Sequence, residues 1–192
     1  MEIGYRLSLP PGFLKKEVNE PVVWAMLRSA CGFGEGRHGN PPEPDYMAAE
    51  DLGIEVTFAA GSDHKELFLR EFCDGIYRPG AESAALRARP IFAALARKAK
   101  KTYSTPRTAL AILCMLELFD WADKDCPARE RVLERIRGGY IAPGPFTTVY
   151  LLVPGLAGEW YCYDVAARQR RQLLVLDHLQ APYYRAAWVR ED

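Results

Sequence analysis

Asp45 follows Pro44 in a turn, and Glu55 sits a few residues later inside the run Ile54-Glu55-Val56-Thr57. Proline presets φ for a turn, and aspartate bonds its own backbone there. Ile-Glu-Val-Thr has the composition of a short strand, and Tyr46-Met47-Ala48 reads as the strand before it. Folding one strand back on the other brings the two carboxylates together at the strand ends. Such a pair is a ready site for a divalent cation with hard oxygen ligands. A plainer reading is equally physical. Pro-Asp is a common turn pair, and a glutamate on alternate positions of a strand faces solvent in most sheets.

The elements that must position this pair are legible to different degrees. Residues 1–13 read as irregular, ended by Pro10-Pro11-Gly12. Asn19 is a candidate N-cap and Pro21 a first-turn residue of a helix running to Cys31, with Val23, Met26, Leu27 and Ala30 on one face. Gly32 to Pro44 holds four glycines and three prolines and reads as a loop. The strand pair follows, from Asp45 to about Ala59. Gly61-Ser62-Asp63 can cap a helix from His64 to about Cys73. A further helix spans Glu82 to Lys101, where Pro90 is expected to kink or split it.

Thr108 to Phe119 is a dense apolar run whose periodicity does not separate strand from helix. A buried central strand over Leu110–Leu116 is favoured, with a helix as the alternative. Cys126-Pro127 opens a helix to Arg137 that Gly138-Gly139 ends. Thr147–Val153 and Trp160–Val165 read as strands, Gln172–Leu176 as an edge strand, and Ala181–Val189 closes the chain. The sum is one α/β domain over residues 1–192, a mixed central sheet flanked by helices.

Lys plus Arg and Asp plus Glu both number 25, so no global field draws this chain to nucleic acid, and any such surface must be a local patch. Two basic clusters qualify, Arg97-Lys98-Ala99-Lys100-Lys101 and Arg168-Gln169-Arg170-Arg171. Trp160, Tyr161 and Tyr163, near the second cluster, could stack on bases. A solvated helix face and a charged edge strand explain both clusters without a ligand. The five cysteines form no C-x-x-C pair and fit reduced thiols, and none of the three histidines lies at zinc-ligand spacing to them. No P-loop, G-x-S-x-G or strand-borne G-x-G-x-x-G is present. The N-terminus lacks a signal-peptide layout, and the apolar run Ala109–Leu116 is too short to span a bilayer. A cytoplasmic protein with no membrane partner is therefore expected.

The Pro44-Asp45 turn, the Ile54-Glu55-Val56-Thr57 strand and the order of elements resemble the core of the PD-(D/E)xK, or restriction-endonuclease-like, nuclease superfamily. The resemblance covers about residues 17–165 and leaves 166–192 as a C-terminal extension. It implies a metal-dependent phosphodiesterase in which Asp45 and Glu55 hold Mg2+ or Mn2+, with the Val56 carbonyl as a third ligand and water as the nucleophile. The family's lysine falls at Thr57, which carries no charge and offers only a hydrogen bond to a water. Lys65, one turn into the next helix, is the nearest relocated lysine, and Lys98 on the long helix is a more distant one. Glu20 would add a third carboxylate to the metal site, with Glu17 as its substitute one turn earlier. The implied partner is nucleic acid, DNA ahead of RNA, with a homodimer as an option.

Two other readings stand beside this one. A catalytically silent member of the same fold could serve as a binding or assembly module, in keeping with the lost lysine and the neutral overall charge. Alternatively the motif is accidental in an unrelated α/β protein, with Asp45 and Glu55 on different faces or making ordinary backbone caps.

Overall fold

Ala109 to Cys114 have no solvent exposure at all, and they mark the centre of the molecule. A continuous apolar run buried on both sides is what a central parallel strand requires. The computed structural model describes residues 2–8, 12–13, 15–60, 88–115, 121, 126–141, 144–155, 158–173 and 183–189. Its strands are β1 (Glu2–Ser8), β2 (Arg37–His38), β3 (Tyr46–Met47), β4 (Leu52–Ala60), β5 (Arg107–Met115), β6 (Thr148–Pro154), β7 (Trp160–Asp164), β8 (Gln169–Leu173) and β9 (Tyr183–Val189). Its α-helices are α1 (Lys16–Cys31), α2 (Arg89–Lys98) and α3 (Pro127–Ile136).

Strands β2 to β8 form one seven-stranded sheet in sequence order, and β1 pairs with β9 in a separate two-stranded sheet. Within the large sheet β4, β5 and β6 are parallel, while the pairs on either side are antiparallel. The crossovers carry α2 and α3 to one face. There Ile91, Leu95, Val132, Leu133 and Ile136 pack with Leu110, Ile112, Val149 and Leu151. The other face is covered by α1, whose Val23, Met26, Leu27 and Ala30 pack with Ile54, Val56, Ala111 and Leu152. Helices on both faces of a mixed sheet give the α/β class expected.

Several expectations change. Residues 2–8 are not irregular: they pair antiparallel with 183–189, from Glu2 opposite Val189 to Ser8 opposite Tyr183. Helix α1 starts at Lys16 with Lys15 as N-cap, not at Asn19, whose N–H already bonds the Lys15 carbonyl at 3.1 Å. Pro21 therefore lies inside the helix, on its exposed side. Pro90 lies in the first turn of α2, where the missing N–H has no partner to lose, and residues 82–87 of the expected helix lie outside the described residues. Gly138-Gly139 does not end the third helix, which continues as one π-helical turn over Arg137–Ile141. The edge strand is Gln169–Leu173, three residues earlier than expected. The expected run is a strand as far as Met115, since its register places it between two other strands, and Leu116 lies outside the described residues. The helix expected over His64–Cys73 lies outside the described residues. Among the described residues Cys31, Cys114, Cys126 and Cys162 are in no disulfide.

Candidate functional site

Strand β3 is only two residues long. Tyr46 pairs with Ile54 and Met47 with Gly53, and at Asp45 the chain leaves β4. The Asp45 carboxylate takes over the ladder: Oδ2 accepts the Val56 N–H at 2.8 Å. This binding depends on a close fit beneath the turn. Pro44 is buried directly over Gly53, where any Cβ would collide with the proline ring. The turn and the bare glycine together aim Asp45 back at β4. The Asp45 backbone is fixed too, its carbonyl accepting the Gly39 N–H at 3.0 Å.

Among the described residues no strand lies beside the β4 edge beyond Glu55, and side chains from both helix layers converge there. Glu55 is almost fully buried, with its side chain 3% exposed. Its Oε1 accepts from Lys98 Nζ and, at 2.8 Å, from Lys101 Nζ. Lys98 Nζ also donates to the Val56 carbonyl at 3.0 Å. Lys98 ends α2, and Lys101 follows in a turn closed by its own N–H on the Lys98 carbonyl at 3.1 Å. From the opposite face Lys16 Nζ donates to Asp45 Oδ1 at 2.9 Å and pairs with Glu20 at 3.0 Å. Lys16 and Glu20 are one helical turn apart, so α1 presents both to the same edge.

Three acids and three lysines thus form one cluster, and the charges perturb each other. Burial and the nearby Asp45 charge raise the Glu20 carboxyl above its ordinary range. The hydrogen bond to Glu55 raises Lys101, and that to Asp45 raises Lys16. Tyr46, stacked on Trp24 with ring centroids 5.0 Å apart, is buried near these acids. Burial first, then Glu20 and Asp45, push its phenol up to about 12. Its hydroxyl is one of two buried side-chain polar atoms without a hydrogen-bond partner among the described residues.

Asp45 and Glu55 both reach the β4 edge at Val56, but Asp45 caps the Val56 N–H and is met by Lys16 from α1, while Glu55 is met by Lys98 and Lys101 from the α2 side, an arrangement the accidental reading also expects. Glu20 joins them through Lys16, whereas Glu17 is exposed. Thr57 is buried, and its hydroxyl accepts from Arg97 Nη2 at 2.8 Å, so a guanidinium stands beside the motif position. Lys65 lies outside the described residues. Lys98, the more distant alternative in sequence, holds the contact with Glu55. Lys16 and Lys101 were missed. Their signals are the Lys16–Glu20 spacing and the spacing of Arg97, Lys98 and Lys101, which share one side of the helix end. The basic cluster therefore turns inward onto the sheet edge and is not merely a solvated face.

The available donors are hard oxygens: the Asp45 and Glu55 carboxylates and the Val56 carbonyl. Both lysine bonds to Glu55 reach Oε1, which leaves Oε2 outside them. Among the described residues no three histidine, cysteine, aspartate or glutamate side chains group closely enough to hold a metal ion between them. No helix among those residues is long and apolar enough to cross a membrane. No family model, curated protein or solved structure matches the chain, and its chemistry is therefore to be read from this geometry.

Proposed function

We propose that the chain is a metal-dependent phosphodiesterase of restriction-endonuclease-like fold that cleaves DNA at the β3–β4 edge. One observation carries the reading. Asp45, Glu55, the Val56 carbonyl and Lys98 meet in a single hydrogen-bonded cluster where β3 leaves β4.

The residues fit Mg2+ or Mn2+ in donor kind, being two carboxylates and a carbonyl with no soft ligand. Asp45, Glu55 and Val56 O would hold the ion, and Glu20 would act from outside through Lys16. When bound, a divalent ion supplies a water of lowered pKa and offsets charge on the phosphate. The chain's own part is positioning. Lys98 Nζ sits against Glu55 and Val56 O, where an ammonium can orient the attacking water or meet a phosphate oxygen. It takes the place of the side chain that Thr57 lacks. Lys101, with its side chain 53% exposed, reaches solvent from the same carboxylate and can meet the incoming backbone. Water adds across one P–O bond: its oxygen bonds to phosphorus, the ester oxygen leaves, and a proton ends on the departing oxygen.

A second reading, the silent binding module, is favoured by a different observation. Each of the three acids already has a lysine partner. The discriminating experiment is nicking of plasmid and cleavage of single-stranded DNA in Mg2+ and Mn2+, with wild type beside Asp45→Ala and Glu55→Ala. Metal-dependent cleavage lost in both variants supports the nuclease. A folded wild type that neither cleaves nor binds metal by calorimetry supports the silent module.

A further inference from the structure

At the other side of the sheet the β7–β8 turn and α3 enclose a cavity of about 240 Å3 lined by Arg129, Arg137, Arg168 and Arg170, with the acids Glu130 and Asp164. The forks are held from behind. Arg129 Nη1 donates to the Trp121 carbonyl at 2.7 Å, and Arg137 Nε donates to the Val165 carbonyl at 2.9 Å. Arg170 lies over the Tyr161 ring, 5.2 Å from its centroid. The acids are engaged as well: Glu130 pairs with Arg129, Asp164 accepts from Thr148 Oγ1 and the Ala167 N–H, and Glu134 pairs with Arg137 and Arg168. Guanidinium forks fixed in this way match the geometry of phosphate oxygens.

Arg168 adds an independent sign. It is the only non-glycine residue with positive φ among those described, at 57°, in the turn between β7 and β8. Glycine or asparagine would take that conformation at less cost. An arginine kept there, with its side chain 69% exposed, points to a use for the side chain.

Register relates the cavity to the acidic site. Glu55 pairs with Leu110, Leu110 with Val149, and the Val149 carbonyl accepts the Val165 N–H at 3.0 Å. Leu110, Val149 and Val165 pack on the face covered by α2 and α3. Strand alternation puts Glu55 on that face, because its neighbours Ile54 and Val56 pack on the other. Three strand spacings separate the two, about 14 Å.

We propose that this arginine-lined cavity binds a second backbone phosphate of the DNA that is cut at Glu55. The inference rests on the nuclease reading for its choice of ligand, but binding tests it separately. Fluorescence anisotropy of a labelled 20-base-pair duplex in EDTA, over about 50–200 mM salt, would compare wild type with Arg168→Gly and Arg170→Gln, using inorganic phosphate as competitor.

Arg168→Gly is expected to melt at the same temperature or higher, since it relieves the positive φ. It should bind about 3- to 10-fold more weakly, with the salt slope reduced by about one. Arg170→Gln should weaken binding in the same direction. Variants that bind as wild type does, with an unchanged slope, would overturn the inference even if the wild type cleaves DNA. A wild type that does not bind at low salt would also overturn it. Arginine-dependent binding by a wild type that never cleaves would uphold the cavity and defeat the nuclease reading.

Discussion

Glu55 and Val165 stand on one row of the sheet and one face, yet the charges around them are organised in opposite ways. At Glu55 the buried groups are carboxylates, and lysines reach in from two helices to neutralise them. Near Val165 the cavity walls are arginines, two of which are anchored on carbonyl oxygens. An ammonium is a compact point charge on a flexible stem, able to yield its place to another cation. A guanidinium is a rigid fork that keeps its direction. On the proposed function, the first region would exchange cations around fixed oxygens, and the second would receive an anion. Together they would serve, on that proposal, a polyanion whose scissile phosphate needs a metal and whose flanking phosphates need only charge.

The largest effect should come from breaking the buried ion pair at the first region. Glu55→Ala leaves Lys98, with its side chain 13% exposed, without its carboxylate. A loss of about 3–5 kcal/mol in urea denaturation is expected. The double change Glu55→Leu with Lys98→Met should recover most of that loss, because an apolar pair of similar size avoids desolvating two charges. If the double variant is as unstable as the single one, the pair is not the source of the effect.

A smaller effect tests the turn that aims Asp45. Gly53→Ala forces a methyl group against the Pro44 ring. It should cost about 1–3 kcal/mol in the same assay and reduce cleavage by displacing Asp45. Arg168→Gly, the matching glycine exchange in the other region, should cost nothing.

Alkaline pH offers a third separation. Tyr46 holds its proton in the fold up to about 12 against an ordinary value near 10, and Lys16 and Lys101 are likewise raised. A raised folded pKa gives stability that is complete below the unfolded value and is lost as pH rises through the folded one. Stability should therefore hold to about pH 10 and fall between about 10 and 12, with tyrosine absorbance near 295 nm reporting late ionisation of Tyr46. Burial raises Tyr103 and Tyr150 too, so a Tyr46→Phe variant should lose one tyrosine's share of that late absorbance. The same variant should change stability at neutral pH by no more than about 1 kcal/mol, since the hydroxyl it removes has no hydrogen-bond partner among the described residues.

What the sequence made legible follows the range of each contact. Asp45 and Glu55 were readable because a turn and one strand pairing bring them together. The parallel strands β5 and β6 were readable from their apolar runs. Lys98 and Glu55 are 43 positions apart, and only the β4–α2–β5 crossover decides that they meet. The pairing of β1 with β9 joins the two ends of the described chain and leaves no local signal. The second basic cluster was visible as charge, but strand alternation divides it. Arg168 and Arg170 line the cavity on the α3 side, while Arg171 bonds the Ala30 carbonyl at the end of α1.

The central claim is that Lys98 supplies, from the end of a helix, the positive charge that Thr57 cannot. The direct measurement is the single-turnover rate of plasmid nicking against Mn2+ concentration, for wild type and Lys98→Gln, with folding of both checked by circular dichroism. The account expects wild type to cleave with saturable Mn2+ dependence and Lys98→Gln to be about 100-fold slower at saturating metal. A folded wild type that nicks no DNA at any Mn2+ concentration, or a variant as fast as wild type, would contradict it.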